Sequence, residues 1–323
     1  MKIVIPDDYQ DIVDRLACFS LLSGHDVVRY REPAADADQL VERLHPAEVV
    51  VAIRERVDFS RALIERLPNL RLIALVGRAA TTIDYAACAD HGVLVSTGLS
   101  SAPVAPAELT IALMLAARRN IVLEAEQMRR GGWPSTLSYR LSGSTLGIFG
   151  LGTIGSLVAR AGAGMGMRIL AWGHATSAAK AAAAGYDFAA SQADLFARSD
   201  VLSLHARLRP DTKGIVGPDD LARMKPTALL VNTARAELIQ AGALLAALRA
   251  GRPGYAAVDV YEQEPVTGGN HPFLAMPNVV CTPHLGWAEW DNFELYFSEA
   301  FQQIVAYAQG TPLRLAGPLA KPH

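Results

Sequence analysis

The amino-acid sequence predicts an α/β protein built from two doubly wound parallel-sheet domains. Short apolar runs alternate with helix-like segments along the chain, which is typical of parallel strands joined by helices. A glycine-rich turn near the middle separates two such series. With 323 residues, the chain also exceeds the usual length of one domain. We therefore expect two domains, each with its own sheet.

The first domain is predicted from short apolar strands in the N-terminal third. These strands are residues 2–5, 26–30, 48–53, 70–75 and 93–96, with helices at 36–44 and 60–67. A joint rich in glycine, serine and proline follows at 97–108, and a long helix is expected from about Ala107 to Ile121. The segment 288–309 repeats apolar residues at helical spacing, so we expect it to pack back on the first domain.

The second domain is predicted from a further series of strands. They are residues 145–149, 167–172, 199–205, 227–232, 255–260 and 278–283, with helices at 191–198 and 241–249. The expected domains are residues 1–100 with 287–323, and an inserted domain of residues 101–286. A small substrate is expected in the cleft between two such domains.

The composition argues against several classes of protein. The formal net charge is −2 with both signs interspersed, so neither nucleic acid nor a membrane surface is an expected partner. Cys18, Cys88 and Cys281 lack metal or redox spacing, and no metal site is expected. The N-terminal residues form a strand and a turn without the pattern of a signal peptide, and no apolar run is long enough to span a bilayer. We expect a soluble, cytoplasmic protein.

The glycine-rich turn connects the strand 145–149 to an alanine-rich helix. Gly150, Gly152 and Gly155 form a G-x-G-x-x-G pattern, which in this position is typical of a Rossmann dinucleotide-binding domain. Gly150 permits the tight turn, Gly152 lets the backbone approach a pyrophosphate, and Gly155 lets the helix pack on the strand. The N-terminus of the helix adds N–H donors and a positive dipole end. The alternative is an ordinary strand-to-helix turn.

Three later patterns each place one reactive side chain where a strand ends. They are VNTARAELI with Arg235, DVYEQEP with Glu264, and TPHLG with His284. Strand ends of a parallel sheet share one edge, so these side chains can converge. Arginine can anchor a carboxylate and carbonyl, imidazole can exchange a proton, and a carboxylate favours the charged imidazole. This set suits hydride transfer to a 2-keto acid, although each residue alone could be structural.

The same patterns resemble those of the D-isomer-specific 2-hydroxyacid dehydrogenases, which include phosphoglycerate and glyoxylate/hydroxypyruvate enzymes. The usual family forms are N-x-x-R-G, E-x-E-P and T-P-H-x-G, and the similarity covers nearly the whole chain. The resemblance implies a Rossmann domain inserted into a flavodoxin-like substrate domain. It makes Arg235 a substrate-binding residue and His284 the acid/base assisted by Glu264, and it places Asp259 at the nicotinamide carboxamide. It also implies a homodimer formed through the helix near 107–121 and an arm to about Trp133.

Substrate contacts from the first domain are predicted by the same resemblance. The segment LVGRAATTID resembles the loop that holds the substrate carboxylate, which implicates Gly77, Arg78 and Ala79. Arg54 matches a position where phosphoglycerate dehydrogenases place arginine, with Arg56 the weaker candidate. Arg78 is unusual there, and we hypothesise that it recognises a distal anionic group together with Arg54. The alternative for Arg54 and Arg56 is a solvated turn.

The sequence also departs from the family pattern. Ala236 replaces the usual glycine after the arginine, and Arg207 replaces a proline. The aspartate expected to bind the adenosine ribose is absent, and Gly173 and His174 stand there instead. His174, Arg207, Thr176 and Ser177 could therefore accept a 2′-phosphate, although no arginine occupies the usual place. The sequence favours NAD and leaves NADP open. The predicted cofactor-binding residues are Gly150, Gly152, Thr153, Ile154, Gly155, His174, Arg207, Thr212, Thr233 and Asp259.

Two other functions remain possible at this point. One is an NAD(H)-sensing protein such as the related co-repressors, which retain the same three residues without requiring turnover. The other is formate dehydrogenase, whose glutamine at the position of Glu264 argues against it here. A small 2-keto or 2-hydroxy acid is the expected substrate, and the sequence does not identify which one.

Overall fold

The computed structural model describes residues 1–319. The chain divides into two compact units. Unit 1 comprises Met1–Ala102 and the segment from Glu289 onward, and unit 2 comprises Pro103–Ala288. The boundaries predicted from the sequence lie at 100/101 and 286/287.

The helices and strands follow the predicted alternation closely. The strands are β1 Lys2–Ile5, β2 Asp26–Arg29, β3 Val49–Ile53, β4 Leu72–Val76, β5 Leu94–Ser96, β6 Thr145–Phe149, β7 Arg168–Trp172, β8 Asp187–Phe188, β9 Val201–Leu204, β10 Leu229–Asn232, β11 Tyr255–Val258, β12 Val279–Cys281 and β13 Leu315–Ala316. The α-helices are α1 Ala37–Leu44, α2 Arg61–Ile64, α3 Tyr85–Asp90, α4 Val104–Arg118, α5 Ile121–Arg129, α6 Thr153–Gly164, α7 Ala175–Ala184, α8 Gln192–Arg198, α9 Pro218–Arg223, α10 Ala243–Arg249 and α11 Trp290–Ala308. Short 3₁₀ helices occur at Val13–Arg15, Ala17–Leu22, Ala236–Leu238 and Pro272–Ala275.

The sheet of unit 1 has the strand order β13-β5-β4-β3-β1-β2. Its strands are parallel except β13, which runs antiparallel to β5. Every residue of β3 and β4 is buried, as expected for strands covered on both faces. Without β13, the order is 2-1-3-4-5, which confirms the predicted flavodoxin-like fold. Helix α11 packs on β4 and on the 3₁₀ helix Ala17–Leu22.

The sheet of unit 2 is parallel and has the order β12-β11-β10-β9-β6-β7-β8. Counted from β6, this is the Rossmann order 3-2-1-4-5-6 with one further strand, so the Rossmann prediction is confirmed. The chain leaves β6 toward β7 on one side and later returns to β9 on the other. Ligands of such sheets bind at this switch point, beyond the carboxyl ends of the strands.

Some elements differ from their predicted positions. The long helix expected at 107–121 is α4, which ends at Arg118 because Asn120 adopts a left-handed conformation with φ +53° and is the N-cap of α5. Strands β8 and β13 have two residues each and are too short to produce a periodic pattern. Within residues 1–319, none of the helices combines the length and the apolar character needed to cross a bilayer.

Candidate active site

The glycine-rich turn follows β6 at the switch point of the unit 2 sheet. Gly150 has φ +97°, a conformation that favours glycine, and a Cβ there would lie 3.0 Å from the backbone nitrogen of Ala206. A Cβ on Gly155 would overlap the carbonyl oxygen of Gly150. A Cβ on Gly152 would meet nothing within 4 Å. Gly150 and Gly155 therefore shape the turn, and Gly152 keeps its outer side open for a ligand.

Helix α6 begins directly after this open side. Gly152 is its N-cap, and the first helical hydrogen bond runs from the Ser156 amide to the Gly152 carbonyl at 3.0 Å. The N–H groups of Thr153, Ile154 and Gly155 precede that bond and have no partner within the helix. These donors, with the helix dipole, suit the two phosphates of a dinucleotide.

The next strand, β7, ends where an adenosine ribose is expected in this fold. Gly173 follows it, and the Ser177 hydroxyl accepts a hydrogen bond from the Leu151 amide at 3.2 Å, which ties α7 to the glycine turn. The imidazole Nε2 of His174 lies 3.1 Å from the guanidinium of Arg209. Arg209 also forms an ion pair with Asp211 at 3.0 Å.

Of the two predicted cofactor-binding residues in this loop, one has an exposed side chain and the other is buried. Arg207 is exposed, and its carbonyl oxygen accepts the Thr212 hydroxyl at 2.7 Å. Thr212 is buried at 3 % exposure and also accepts the Arg209 amide at 2.8 Å. Thr212 therefore organises the loop. Arg209 is the cation next to His174, and sequence reasoning missed it because Arg207 and Arg209 are equivalent candidates in an Arg-Leu-Arg sequence.

Arg235 lies in a tight turn after β10. The side chain of Asn232 holds this turn: its Nδ2 donates to the Arg235 carbonyl at 3.0 Å, and its Oδ1 accepts the Ala234 amide at 3.1 Å. Arg235 itself donates to the Ala234 carbonyl at 2.7 Å. Ala236, which replaces the usual family glycine, begins a 3₁₀ helix where no positive φ is needed. Asn232 was not among the predicted site residues, although it opens the motif that identified Arg235.

Thr233, in the same turn, contacts a side chain from another element. Its hydroxyl lies 2.7 Å from that of Thr110 on α4, and Thr110 also lies 2.7 Å from the Pro106 carbonyl. When Thr110 donates to Pro106, Thr233 donates to Thr110 and keeps its own lone pairs for a ligand.

Glu264 and His284 form a short hydrogen-bonded pair. Glu264 Oε2 lies 2.6 Å from His284 Nδ1, and Glu264 Oε1 accepts the Tyr261 amide at 2.9 Å. Burial tends to raise the pKa of Glu264. The bond and charge of His284, the bond from the Tyr261 amide and the charge of Arg235 outweigh burial and hold the pKa of Glu264 below its usual range. The three predicted catalytic residues therefore belong to one electrostatic cluster.

Asp259 anchors the loop that carries His284. Its carboxylate accepts hydrogen bonds from the Thr282 hydroxyl at 2.7 Å, the Leu285 amide at 2.7 Å and the Gly286 amide at 2.9 Å. These bonds flank His284, which has φ +52°, an uncommon conformation for a residue other than glycine. Asp259 is 0 % exposed, and burial raises its pKa. The side chain predicted to lie at the nicotinamide carboxamide thus also holds the histidine loop.

The predicted substrate-binding residues lie in unit 1, after β3 and β4. Arg54 has φ +54°, and a Cβ on Gly77 would lie 2.8 Å from its Nη1 atom, so its guanidinium lies against the Gly77 backbone. Arg78 and Ala79 are exposed. Arg56 stacks on the Tyr9 ring at 4.5 Å and donates to the Asp7 carbonyl. The Arg54 guanidinium therefore lies beside the loop 77–79. The Arg56 guanidinium is instead engaged by Tyr9 and Asp7.

A Rossmann sheet with a glycine turn and an arginine–glutamate–histidine cluster is typical of nicotinamide-dependent oxidoreductases. The family model for the NAD-binding domain of D-isomer specific 2-hydroxyacid dehydrogenases matches residues 111–286. The chain belongs to this family. It is an oxidoreductase that transfers a hydride between a nicotinamide cofactor and a 2-keto acid or 2-hydroxy acid. The matched family model indicates that the cofactor is NAD.

Several relatives resemble the chain over most of its length. It is 34 % identical to glycerate dehydrogenase of Methylorubrum extorquens, covering 85 % of this chain and 87 % of that protein. It is also 34 % identical to glyoxylate reductase of Aeropyrum pernix, with 87 % and 85 % covered. The crystal structure of phosphoglycerate oxidoreductase from Vibrio cholerae superposes with a TM-score of 0.93 at 47 % identity, covering 96 % and 99 % of the two chains.

Proposed function

We propose that the chain reduces a small 2-keto acid to the D-2-hydroxy acid with His284 as the proton donor. The observation that carries this proposal is the 2.6 Å contact between His284 and Glu264, beside a turn that presents Arg235. In the proposed division of labour, residues 101–286 bind the dinucleotide. Residues 1–100 with 287–323 bind the substrate, chiefly through Arg54, Gly77, Arg78 and Ala79.

The residues of the cluster have separate tasks in this mechanism. The nicotinamide supplies the hydride when it is bound. Arg235 binds the substrate carboxylate and polarises the keto group, because its guanidinium can form two parallel hydrogen bonds. His284 Nδ1 is held by Glu264, so Nε2 is the atom that donates a proton to the keto oxygen and removes it in the reverse reaction. Glu264 stabilises the imidazolium that donates.

The substrate is proposed to be a short 2-keto acid. The relatives are named for glycerate, glyoxylate and phosphoglycerate, all acids of two or three carbons. Arg78 is an exposed member of the loop 77–79, and Arg54 lies against Gly77. Two arginines here favour a substrate with a second anionic group. Arg78→Ala should then lower kcat/KM for phosphohydroxypyruvate more than for glyoxylate, and an equal effect on both refutes this part of the proposal.

NADH is the proposed working cofactor. The matched family model is that of an NAD-binding domain, which supports NADH. The absent carboxylate at Gly173 and the Arg209–His174 contact, which places positive charge near the same strand end, leave room for some activity with NADPH. Asp211 offsets part of that charge. We expect kcat/KM to favour NADH, and Arg209→Ala should lower the residual activity with NADPH more than that with NADH. A preference for NADPH above about tenfold in the native chain, ~1.4 kcal/mol, contradicts the choice of NADH.

A homodimer is proposed from the surface of α5 and the segment that follows it. Large apolar side chains there are more than half exposed, which is unusual for an unpartnered surface: Ile121, Val122, Met128, Trp133 and Leu137. Light scattering coupled to size-exclusion chromatography should give twice the chain mass of 34.5 kDa, and Trp133→Ser with Leu137→Ser should shift the mass toward one chain. A monomer in the native protein contradicts this proposal.

The decisive test is a panel of 2-keto acids with both cofactors. Glyoxylate, hydroxypyruvate, pyruvate and phosphohydroxypyruvate would each be mixed with NADH or NADPH while absorbance at the reduced-nicotinamide band is followed. Steady oxidation with at least one pair supports the proposal. Tight NADH binding without turnover on any member would instead favour a nucleotide-sensing role.

A further inference from the structure

We propose that Glu299 on α11 is a positioning residue for substrate binding, because it fixes the segment that supports the Gly77 loop. This inference rests on the proposed function, in which that loop binds the substrate carboxylate. All the residues concerned belong to unit 1, and Glu299 itself is not expected to touch the substrate. Neither the family patterns in the sequence nor the names of the relatives point to this residue.

Glu299 binds the chain as it leaves β5. Its Oε2 accepts the amides of Leu99 at 3.1 Å and Ser100 at 3.3 Å, and its Oε1 accepts the Ser100 hydroxyl at 2.8 Å. The side chain is only 13 % exposed, and Arg314 lies 3.7 Å from Oε1. A nearly buried carboxylate with three donors and one nearby cation is a strong anchor, since hydrogen bonds to charged groups are the stronger class.

The segment 98–100, which Glu299 anchors, in turn holds the loop 77–79. The Gly98 amide donates to the Gly77 carbonyl at 2.6 Å. A Cβ on Gly98 would overlap Glu299 Oε2 and lie 3.2 Å from the Gly77 carbonyl oxygen. Gly98 is therefore in contact with both the Glu299 carboxylate and the Gly77 backbone. Gly77 has φ +139°, and its carbonyl direction sets the direction of the next amide. Fixing Gly98 therefore fixes the loop that presents Arg78 and Ala79.

A second residue of α11 supports the same arrangement. The Tyr296 hydroxyl accepts the Ala102 amide at 2.9 Å, and its ring lies 5.8 Å from the Arg54 guanidinium carbon. Arg54 meanwhile lies against Gly77. Because Tyr296 and Glu299 are three residues apart, they project from one face of the helix. This face of α11 thus contacts both the segment 98–102 and the arginine proposed to bind substrate.

The same helix provides a matched control. Glu294 is also a carboxylate on α11 that accepts two backbone amides, those of Ala17 at 2.9 Å and Cys18 at 2.7 Å. Its partners lie in the 3₁₀ helix Ala17–Leu22, and neither of these two bonds involves the loop 77–79. Glu294→Ala and Glu299→Ala therefore each remove two bonds to backbone amides from one helix, but only Glu299→Ala releases the loop 77–79.

The test compares these variants by steady-state kinetics and by binding of oxamate, a non-reacting 2-keto acid analogue, to the NADH complex. We expect Glu299→Ala to raise KM and the oxamate Kd about tenfold. We also expect kcat to change less than about threefold and the NADH Kd to stay at the native value. Glu299→Gln should recover most of the loss because it keeps one acceptor oxygen, and Ser100→Ala should raise KM about threefold. Glu294→Ala should leave KM at the native value.

Two results would overturn the inference. The first is an unchanged KM and oxamate Kd in Glu299→Ala or, if that variant does not fold, in Ser100→Ala. The second is an equal rise in KM for Glu294→Ala and Glu299→Ala, which would indicate a general loosening of α11. A native chain that binds oxamate but oxidises no NADH would refute the proposed function, and the oxamate Kd values would still decide this inference.

Discussion

The Nδ1 atom of His284 lies 2.6 Å from the Oε2 atom of Glu264. Because this bond occupies Nδ1, the imidazole is oriented with Nε2 as its reactive nitrogen. Both side chains are about one-third exposed, 29 % and 32 %, so a substrate can reach the pair. The loop that carries His284 is held by Asp259, and the turn that carries Arg235 is held by Asn232. The reactive side chains are thus placed by buried neighbours.

Removing the carboxylate of Glu264 should slow the proton transfer. Glu264 Oε2 lies 2.6 Å from His284 Nδ1, so Glu264→Gln should weaken the hold on the imidazole and lower kcat for reduction more than about tenfold. The check is steady-state NADH oxidation by both proteins at one pH. A native kcat in Glu264→Gln would show that Glu264 does not act on the proton donor.

The same pair should contribute to stability in a defined pH range. The folded-state pKa of Glu264 lies below its ordinary value of 4.5. Its contribution is therefore fully present above pH 4.5 and is lost as pH falls through the lowered folded-state pKa. Glu264→Gln should reduce the unfolding free energy at pH 7 and have less effect at pH 3, as measured by urea titration. If Glu264→Gln instead lowers the unfolding free energy more at pH 3 than at pH 7, the expected direction of the pH dependence is wrong.

Two glycines of the nucleotide turn should respond differently to alanine. A Cβ on Gly155 overlaps the Gly150 carbonyl, so Gly155→Ala should lower stability by about 1–3 kcal/mol and also weaken NADH binding. A Cβ on Gly152 meets open space, and Gly152 has φ −77°, which alanine tolerates. Gly152→Ala should therefore keep the native Tm and weaken only NADH binding. Calorimetry and NADH fluorescence distinguish these outcomes; native NADH affinity in Gly152→Ala would exclude phosphates from that side.

Asp259 should affect catalysis through the histidine loop. Asp259→Asn replaces one acceptor oxygen by a donor that faces a backbone amide, so the left-handed conformation at His284 loses support. We expect kcat to fall more than about tenfold, with the NADH Kd within about threefold of the native value. The reverse pattern, a weaker NADH affinity with native kcat, would support the carboxamide contact implied by the family resemblance.

The sequence predicted the parts that depend on local pattern. The alternation of strands and helices led to both sheets, because strands buried on both faces are uniformly apolar, as β3 and β4 are. Gly150, Gly152 and Gly155 were recognisable because a nucleotide turn needs small residues at fixed spacing. Arg235, Glu264 and His284 were recognisable because each follows a strand within a characteristic motif.

The remaining features depend on contacts between distant segments. The choice of Arg209 over Arg207 as the neighbour of His174 follows from the path of the 207–212 loop, which Thr212 fixes. The buried carboxylate of Asp259 accepts hydrogen bonds from residues more than twenty positions away. Glu299 reaches Ser100 across 199 positions. Side chain-to-backbone bonds of this kind leave no periodic signal, since any carboxylate on a helix is compatible with the same pattern.

The most direct test of the account replaces His284 and measures turnover and cofactor binding in the same protein. His284→Asn suits this purpose because asparagine tolerates the left-handed conformation at this position. The account predicts that kcat with the best keto acid falls by at least about 100-fold, since a positioned proton donor contributes that much or more. The Kd for NADH, measured by fluorescence, should stay at the native value. A variant that retains near-native kcat would contradict His284 as the proton donor.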